Sequence, residues 1–241
     1  MSQKYALVTG TDHGVGLALT QQLLERGYYV VAARLNSEET AIDQLRTKYP
    51  NTLSIVHLDI SDDDSVCTMA KQVSNLVPHL DLLINNAGIL GDMNKVLGDE
   101  LDFQEMLRVI NVNALGPLRV TNALVDLILK STDKTVLNIS SEAGSLADCE
   151  REGWFGYCMS KSATNMQSVL VHNNLRKHGG KVVVMHPGHV ATYMRGHLDT
   201  TAKITPEESA SGILQVILEH PELSLNKRPD YIDYQGEKLP W

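Results

Sequence analysis

Cysteine is scarce in this chain of 241 residues. Cys67, Cys149 and Cys158 are the only ones, and their uneven spacing offers neither a paired disulfide framework nor a cluster that would ligate a metal. Thiols this few fit a reducing compartment, and a cytoplasmic location is expected. Long apolar runs are also missing. No segment approaches the roughly 18 consecutive apolar residues of a membrane span. The opening Met1-Ser2-Gln3-Lys4-Tyr5 leads into an apolar stretch too short for a signal-peptide core, so neither membrane insertion nor secretion is expected. Basic blocks are absent: 21 Lys and Arg against 29 Asp and Glu give a formal net charge of -8 and form no stripe, which argues against nucleic acid as a partner. There is no internal repeat, low-complexity tract or linker-like shift in composition, and a single domain over residues 1–241 is expected.

The apolar residues, 43% of the chain, fall in short runs separated by longer stretches of helical period. Strands are expected at Tyr5 to Val8, Tyr29 to Ala33, Leu53 to Leu58, Leu82 to Ile84, Thr135 to Ile139 and Lys181 to Met185. Continuous apolar runs suit strands covered on both faces, and alternation of strands with helices suits a parallel sheet. The expectation is an α/β fold, a doubly wound parallel sheet with helices on both faces. Helices are read at Gly16 to Arg26 and Ser61 to Val77, with two more in Asp102 to Leu129 and an uninterrupted one from Tyr157 to Lys177. The last two stretches could face a partner subunit, which would make a homodimer. Residues 187–206 hold Pro187, Gly188, Gly196 and Pro206 without a clear period and read as a mobile lid with short helical pieces.

Directly after the first strand stands Thr9-Gly10-Thr11-Asp12-His13-Gly14-Val15-Gly16, with a helix at its end. Glycines there permit a tight turn and close approach of a pyrophosphate, and the helix directs free N–H groups at the anion. The Gly-x-x-x-Gly-x-Gly spacing departs from the common Gly-x-Gly-x-x-Gly fingerprint. Preceded by threonine, it resembles the single-domain branch of the short-chain dehydrogenase/reductase family, whose fold is Rossmann-type. The resemblance extends along the chain. Asp59, with the adjacent Ile60, stands where the family's aspartate meets the adenine amino group. Asn85-Asn86-Ala87-Gly88 matches the turn that lets the backbone pass close to the cofactor. Pro187-Gly188-His189-Val190 follows the sixth strand, where Val190 would approach the nicotinamide carboxamide.

The second strand ends in Ala33-Arg34-Leu35-Asn36, with no acid to hold an adenosine ribose. Arg34 carries a planar, permanently charged fork suited to a 2′-phosphate, and His13 adds a donor, so NADPH is favoured over NADH. Tyr157 and Lys161 are four apart on one helical face. A phenol of ordinary pKa near 10 becomes useful at neutral pH when nearby positive charge stabilises its anion. The resemblance assigns Ser141, the second of the pair Ser140-Ser141, to the reacting oxygen. It gives Lys161 the ribose hydroxyls and Asn113 a proton-relay water, with Asn111 as the competing asparagine. It thus implies hydride transfer from NADPH to the carbonyl of a small aldehyde, ketone or quinone, with Tyr157 as proton donor and no metal. Around Met159 to Met166, His186-Pro187-Gly188 and the terminal Gly236 to Trp241, the chain is similar to sniffer and C-factor-like carbonyl reductases. It departs from them at His189 and in a charged insertion, Asp148 to Gly153, read as a loop at the pocket mouth beside Trp154. A nucleotide-binding signalling module without turnover, a sugar-nucleotide epimerase and an NAD-dependent alcohol dehydrogenase are the alternatives. The intact Ser-Tyr-Lys set, the glycine spacing and Arg34 respectively weigh against them.

Overall fold

Each of the six apolar runs becomes a strand, because a strand packed by helices on both sides can be apolar at every position. The computed structural model describes residues 3–36, 38 and 41–241; Met1, Ser2, Ser37, Glu39 and Thr40 lie outside them. The strands are β1 (Tyr5–Thr9), β2 (Tyr29–Arg34), β3 (Leu53–His57), β4 (Leu82–Asn85), β5 (Thr135–Ile139) and β6 (Lys181–His186). A seventh, β7 (Tyr231–Asp233), was not expected from the sequence, since three residues are too few to carry a period. All pair in parallel, in the order β3-β2-β1-β4-β5-β6-β7. Alternation along β1 divides the core. Ala6 and Val8 join the apolar cluster on one face, and Leu7 joins the cluster on the other.

Strand order reverses between β1 and β4, and chain segments leaving these two strands diverge there to open a crevice at their carboxyl ends. Around the sheet lie α1 (Gly14–Glu25), α2 (Ala41–Lys48), α3 (Asp63–Leu76), α7 (Phe155–Leu175) and α8 (Pro206–Glu219). Asp62 caps α3 by accepting from Ser65 N at 2.7 Å, and Asp63 and Asp64 follow in the first turn, where the helix dipole favours negative charge. Helix α8 had a start signal in the sequence that a search for apolar period overlooks. Thr205 accepts from Glu208 N, Glu208 accepts from Thr205 N, and Pro206 follows the cap.

Two further expectations need correction. The stretch 102–129 holds three helical segments rather than two: α4 (Phe103–Ile110), α5 (Gly116–Ala123) and α6 (Val125–Lys130), with a single π turn at Asn111–Leu115 between α4 and α5. The segment 187–205 contains no helical piece. It leaves and returns as an irregular loop closed by a parallel bridge between Val190 and Ile204, gathered on the Asp199 carboxylate. That group accepts from Thr201 N (3.0 Å) and Thr201 Oγ1 (2.6 Å) and faces His189 Nε2 at 2.9 Å and Arg195 Nε at 3.4 Å. One acceptor serving several donors organises a loop without a helix.

Beneath the crevice β4, β5, α5 and α7 are joined by a buried polar chain. Asn85 Nδ2 donates to Asn138 Oδ1 (2.8 Å) and Thr121 Oγ1 (3.0 Å), Asn138 Nδ2 donates to Ser168 Oγ (2.8 Å), and Ser168 Oγ donates to Thr164 O. Asn85 Oδ1 is left without a partner among the described residues, while the other bonds of the chain are made, and removing one of their partners costs stability. Asn138→Ala is therefore expected to lower stability by about 2 kcal/mol, read as a lower urea midpoint at unchanged slope. An unchanged midpoint would show that the network carries no weight.

Candidate active site

The glycine turn is held shut by its own smallness. A methyl group at position 16 would lie 2.1 Å from Gly10 O and 2.5 Å from Asn86 Nδ2, and one at position 10 would lie 2.8 Å from Ala87 Cα. Gly10 also has φ +70, the region that favours glycine. The turn is stitched to the end of β4. Asn86 Nδ2 donates to Thr9 O and Gly10 O, while Thr9 Oγ1 accepts from the amides of Asn86 and Ala87. Helix α1 starts at Gly14 with no side chain capping it, so its first amides are left for an anion. Gly10, His13, Gly14, Val15, Asp59, Ile60, Asn86, Ala87, Gly88, Pro187, Gly188 and Val190 all line one cleft of about 940 Å³. Ser141, Tyr157 and Lys161 line it too. These are features a dinucleotide fits: a cradle too narrow for any Cβ and an open helix end facing it.

Asp12, Gly16, Arg34 and Asn113 are absent from the cleft lining. Asp12 turns its carboxylate onto the amides of Leu35 (3.1 Å) and Asn36 (2.9 Å) and braces the end of β2. Arg34 is paired with Asp43 of α2, Nη1 to Oδ2 at 2.5 Å, and its side chain is largely covered. The sequence shows no acid at the tip of β2, but folding brings one to Arg34 from the following helix.

At the other end of the cleft the two neighbouring serines separate. Ser140 Oγ donates to Asn165 Oδ1 at 2.6 Å and is a packing residue. The Ser141 hydroxyl accepts from Ala143 N and neighbours the Tyr157 phenol, whose pKa it lowers. Its carbonyl accepts from Tyr231 Oη of β7, a support with no sequence signal because 90 residues separate the two. Tyr157 and Lys161 rise from one face of α7 and are buried, with Lys161 Nζ 5.7 Å from the phenol ring centroid and donating to Ile139 O at 2.9 Å. Burial pushes the Tyr157 phenol up to about 12 against the influence of Ser141, and burial alone brings the Lys161 amine down to about 8. A lowering of the phenol by Lys161 is not present in the free chain, where burial is the largest influence on Tyr157.

Asn113 sits in the π turn, a geometry that often marks functional positions. Its Oδ1 accepts from Ile89 N (2.8 Å) and its Nδ2 donates to Ile89 O (2.8 Å) and Ser160 Oγ (2.9 Å), which clamps the chain just beyond Gly88. A methyl group on Gly88 would lie 3.1 Å from Asn113 Oδ1 and 3.8 Å from Lys161 Nζ. Asn111 is engaged elsewhere, with Ser61 O and Arg119.

The charged insertion forms part of the wall. Arg151 pairs with Glu142 at 2.7 Å and lies over the Trp154 ring at 5.2 Å, and Trp154 meets Tyr157 edge-on with centroids 6.2 Å apart. Trp154 has φ +61, a strained conformation for so large a residue. On the far side, Thr192 Cγ2 would lie 3.3 Å from a methyl group on Gly14, so the loop 187–205 leans over the glycine turn. Arg108, Met194, Arg195, Lys203 and His186 also line the cleft and were not anticipated. His186 Nδ1 is buried without a partner among the described residues, and burial lowers the ring's pKa. Its place before Pro187-Gly188 was the only available signal.

Sheet order and the glycine turn at the switch point define a dinucleotide-binding α/β protein. The model of the short chain dehydrogenase family matches residues 4–203, and the chain belongs to that family of oxidoreductases. It is similar to the C-signal of Myxococcus xanthus, 38% identical over 162 residues that cover 67% of this chain and 93% of that one. Among solved structures, NADPH-bound carbonyl reductase from chicken fatty liver has TM-score 0.88 and 30% identity, covering 100% of this chain and 95% of that one. Carbonyl reductase Sniffer of D. melanogaster shares the fold over the full length of both chains, at TM-score 0.90 and 23% identity.

The buried amine makes a pH prediction. An unfolded chain keeps the Lys161 proton up to its ordinary 10.5, and the folded chain releases it from about 8, so the unfolded state binds more protons between these values. Stability of the cofactor-free protein should therefore gain from Lys161 as pH rises from about 8 to 10.5. Urea midpoints of wild type and Lys161→Met across this window isolate the contribution. Curves of equal slope would place no shifted amine at this position. Separately, Gly16→Ala should abolish measurable dinucleotide binding in calorimetry, because the added methyl displaces Gly10 and Asn86.

Proposed function

We propose that the chain is a carbonyl reductase that uses NADPH to reduce a small aldehyde, ketone or quinone. The observation that carries this reading is the meeting of the Ser141 hydroxyl, the buried Tyr157 phenol and the Lys161 amine in the same cleft as the glycine turn. The nicotinamide ring, when bound, supplies hydride to the carbonyl carbon. Ser141 holds the carbonyl oxygen by hydrogen bond, and Tyr157 hands its phenolic proton to that oxygen as negative charge develops there. A phenol held near 12 is fully protonated at neutral pH, as a proton donor to an alkoxide should be. Lys161 stabilises the phenolate left behind and, with Tyr157, would hold the ribose hydroxyls of a bound cofactor. Asn113 acts as a positioning residue: its side chain fixes Ile89, and its carbonyl, which accepts from Thr164 Oγ1, has a second lone pair for a relay water.

Gly10, Gly14, Val15 and Gly16 would hold the pyrophosphate, Asp59 and Ile60 the adenine, and Asn86, Ala87 and Gly88 the sugar side. Pro187, Gly188 and Val190 would hold the nicotinamide, with 187–206 as a lid over one domain spanning 1–241. Asp12 would act through the brace it gives β2, and His13 and Arg34 would read the 2′-phosphate. Exposed Phe103 and Leu107 on α4, and Met166 and Leu170 on α7, support a homodimer. The few unpaired cysteines support work in the cytoplasm, and the net charge of -8 supports small molecules over nucleic acid. No described helix is long and apolar enough to cross a membrane.

Following NADPH consumption against a panel of aldehydes, ketones and quinones tests the reading. Tyr157→Phe should lower kcat by about 10² to 10⁴ while leaving NADPH binding measurable; equal rates would overturn the mechanism. Arg34→Ala should weaken NADPH about tenfold and leave NADH unchanged, as expected for loss of one charge-assisted contact. An unaltered ratio would mean the 2′-phosphate is read elsewhere. The likeness to C-signal favours one second reading, a signalling role for the bound nucleotide, and tight NADPH binding without turnover on the whole panel would favour it.

A further inference from the structure

His186 lines the cleft, and the chemistry derived above gives it nothing to do. Strand register places its side chain. Ile139 pairs with Met185, and Ser140 N donates to Met185 O at 2.7 Å, so His186 on β6 stands level with Ser140 on β5. Ile139 and Met185 both belong to the apolar cluster on one face of the sheet. Alternation sends the next residue of each strand to the opposite face, and Ser140 there bonds Asn165 of α7. His186 is thereby directed to the side from which Tyr157 and Lys161 rise on the same helix.

The two nitrogens of this half-buried ring differ. Nδ1 is enclosed without a partner among the described residues. Nε2 has no hydrogen bond among them either but is not enclosed, so it is the nitrogen that the cleft reaches. A neutral imidazole carries one ring proton and a charged one carries two. A proton on Nδ1 would be a buried donor with nothing to accept it, whereas a bare Nδ1 leaves only a lone pair unused. The arrangement of lowest cost is the neutral ring protonated on Nε2. Surrounding charges do not reverse this. Glu142 is paired with Arg151, Asp233 Oδ1 accepts from the amides of Gln235 and Glu237, and the cations Lys161 and Arg151 oppose a further positive charge. Burial, the largest influence on the ring, lowers its pKa as well.

We infer that His186 is a specificity-determining residue of the proposed reduction: its Nε2–H donates to an uncharged oxygen that the substrate carries beside its reacting carbonyl. The inference rests on the reductase reading for the identity of the ligand. Neighbouring strands lie about 4.8 Å apart, so an acceptor within reach of His186 belongs to an atom close to the carbonyl held by Ser141. A donor that stays uncharged favours a ketone or hydroxyl oxygen in that place, since it offers a carboxylate no opposite charge. The ligand selected is a carbonyl compound with a second, neutral oxygen on the adjacent carbon. A simple ketone leaves this N–H without a partner once water is displaced, and the enzyme discriminates against it accordingly.

The inference is tested by measuring kcat/KM with NADPH for diacetyl and butanone, which differ by one carbonyl oxygen. His186→Leu should lower the diacetyl-to-butanone ratio about tenfold, as for loss of one hydrogen bond, whereas His186→Gln, whose amide nitrogen replaces Nε2 as donor, should keep it within about twofold of wild type. The ratio cancels intrinsic reactivity and any general loss from disturbed packing, which lowers both rates together. Proton–nitrogen correlation spectra of the isotope-labelled chain, with the ring assigned by its disappearance in His186→Gln, should show a proton on Nε2 and a bare Nδ1 from about pH 6 to about pH 8. An unchanged ratio in His186→Leu, a ratio lost equally in His186→Gln, or a proton on Nδ1 would each overturn the inference. The spectra need no turnover. A chain that reduces no carbonyl while its ring carries the Nε2 proton refutes the reductase reading, and an active chain with an unchanged ratio refutes the role of His186 alone.

Discussion

A buried ammonium group with no carboxylate against it among the described residues sets the terms for the rest of this molecule. Among those residues Lys161, in the floor of the cleft, has a single backbone carbonyl, Ile139 O, as its hydrogen-bond partner, and desolvation alone brings its amine down to about 8. An ammonium has three donors, and two remain directed at the cleft or its surroundings. Such a group is tolerated where a ligand completes its shell, and the neighbourhood is built to admit one. Gly88 leaves a passage between Lys161 and Asn113, the Asn113 side chain holds the Ile89 backbone back from it, and the glycine turn keeps the far end of the crevice open. A carboxylate in that position would satisfy the amine and remove the need.

The same burial explains why the phenol and the amine shift in opposite directions. Low dielectric penalises the charged form of each, raising Tyr157 and lowering Lys161. The pair thus rests as a neutral phenol beside an amine whose charge is easily lost. Ser141 is held from both sides: Ala143 N bonds its hydroxyl and Tyr231 Oη its carbonyl. Support for this end of the cleft thereby comes from β7, at the edge of the sheet.

The adenosine end follows a different logic. Charge there is already paired within the protein, Arg34 with Asp43 and Asp12 with the amides of Leu35 and Asn36. Any anion that approached Arg34 would have to compete with the Asp43 carboxylate already paired to it.

Much was legible in the residue string. Strand runs, the glycine turn and the Tyr-Lys pair are local, because backbone freedom at Gly10 and Gly16 and the four-residue helical spacing act within one turn of chain. From these the parallel doubly wound sheet and the place of the cleft followed. Packing decided what lies far apart along the chain. It separated Ser140 from Ser141, placed Asp43 on Arg34, turned Asp12 away from the cleft, and gathered 187–205 on Asp199 without a helix. Each of these depends on which neighbour satisfies a donor or a charge once water is excluded, and residue order alone does not carry that information.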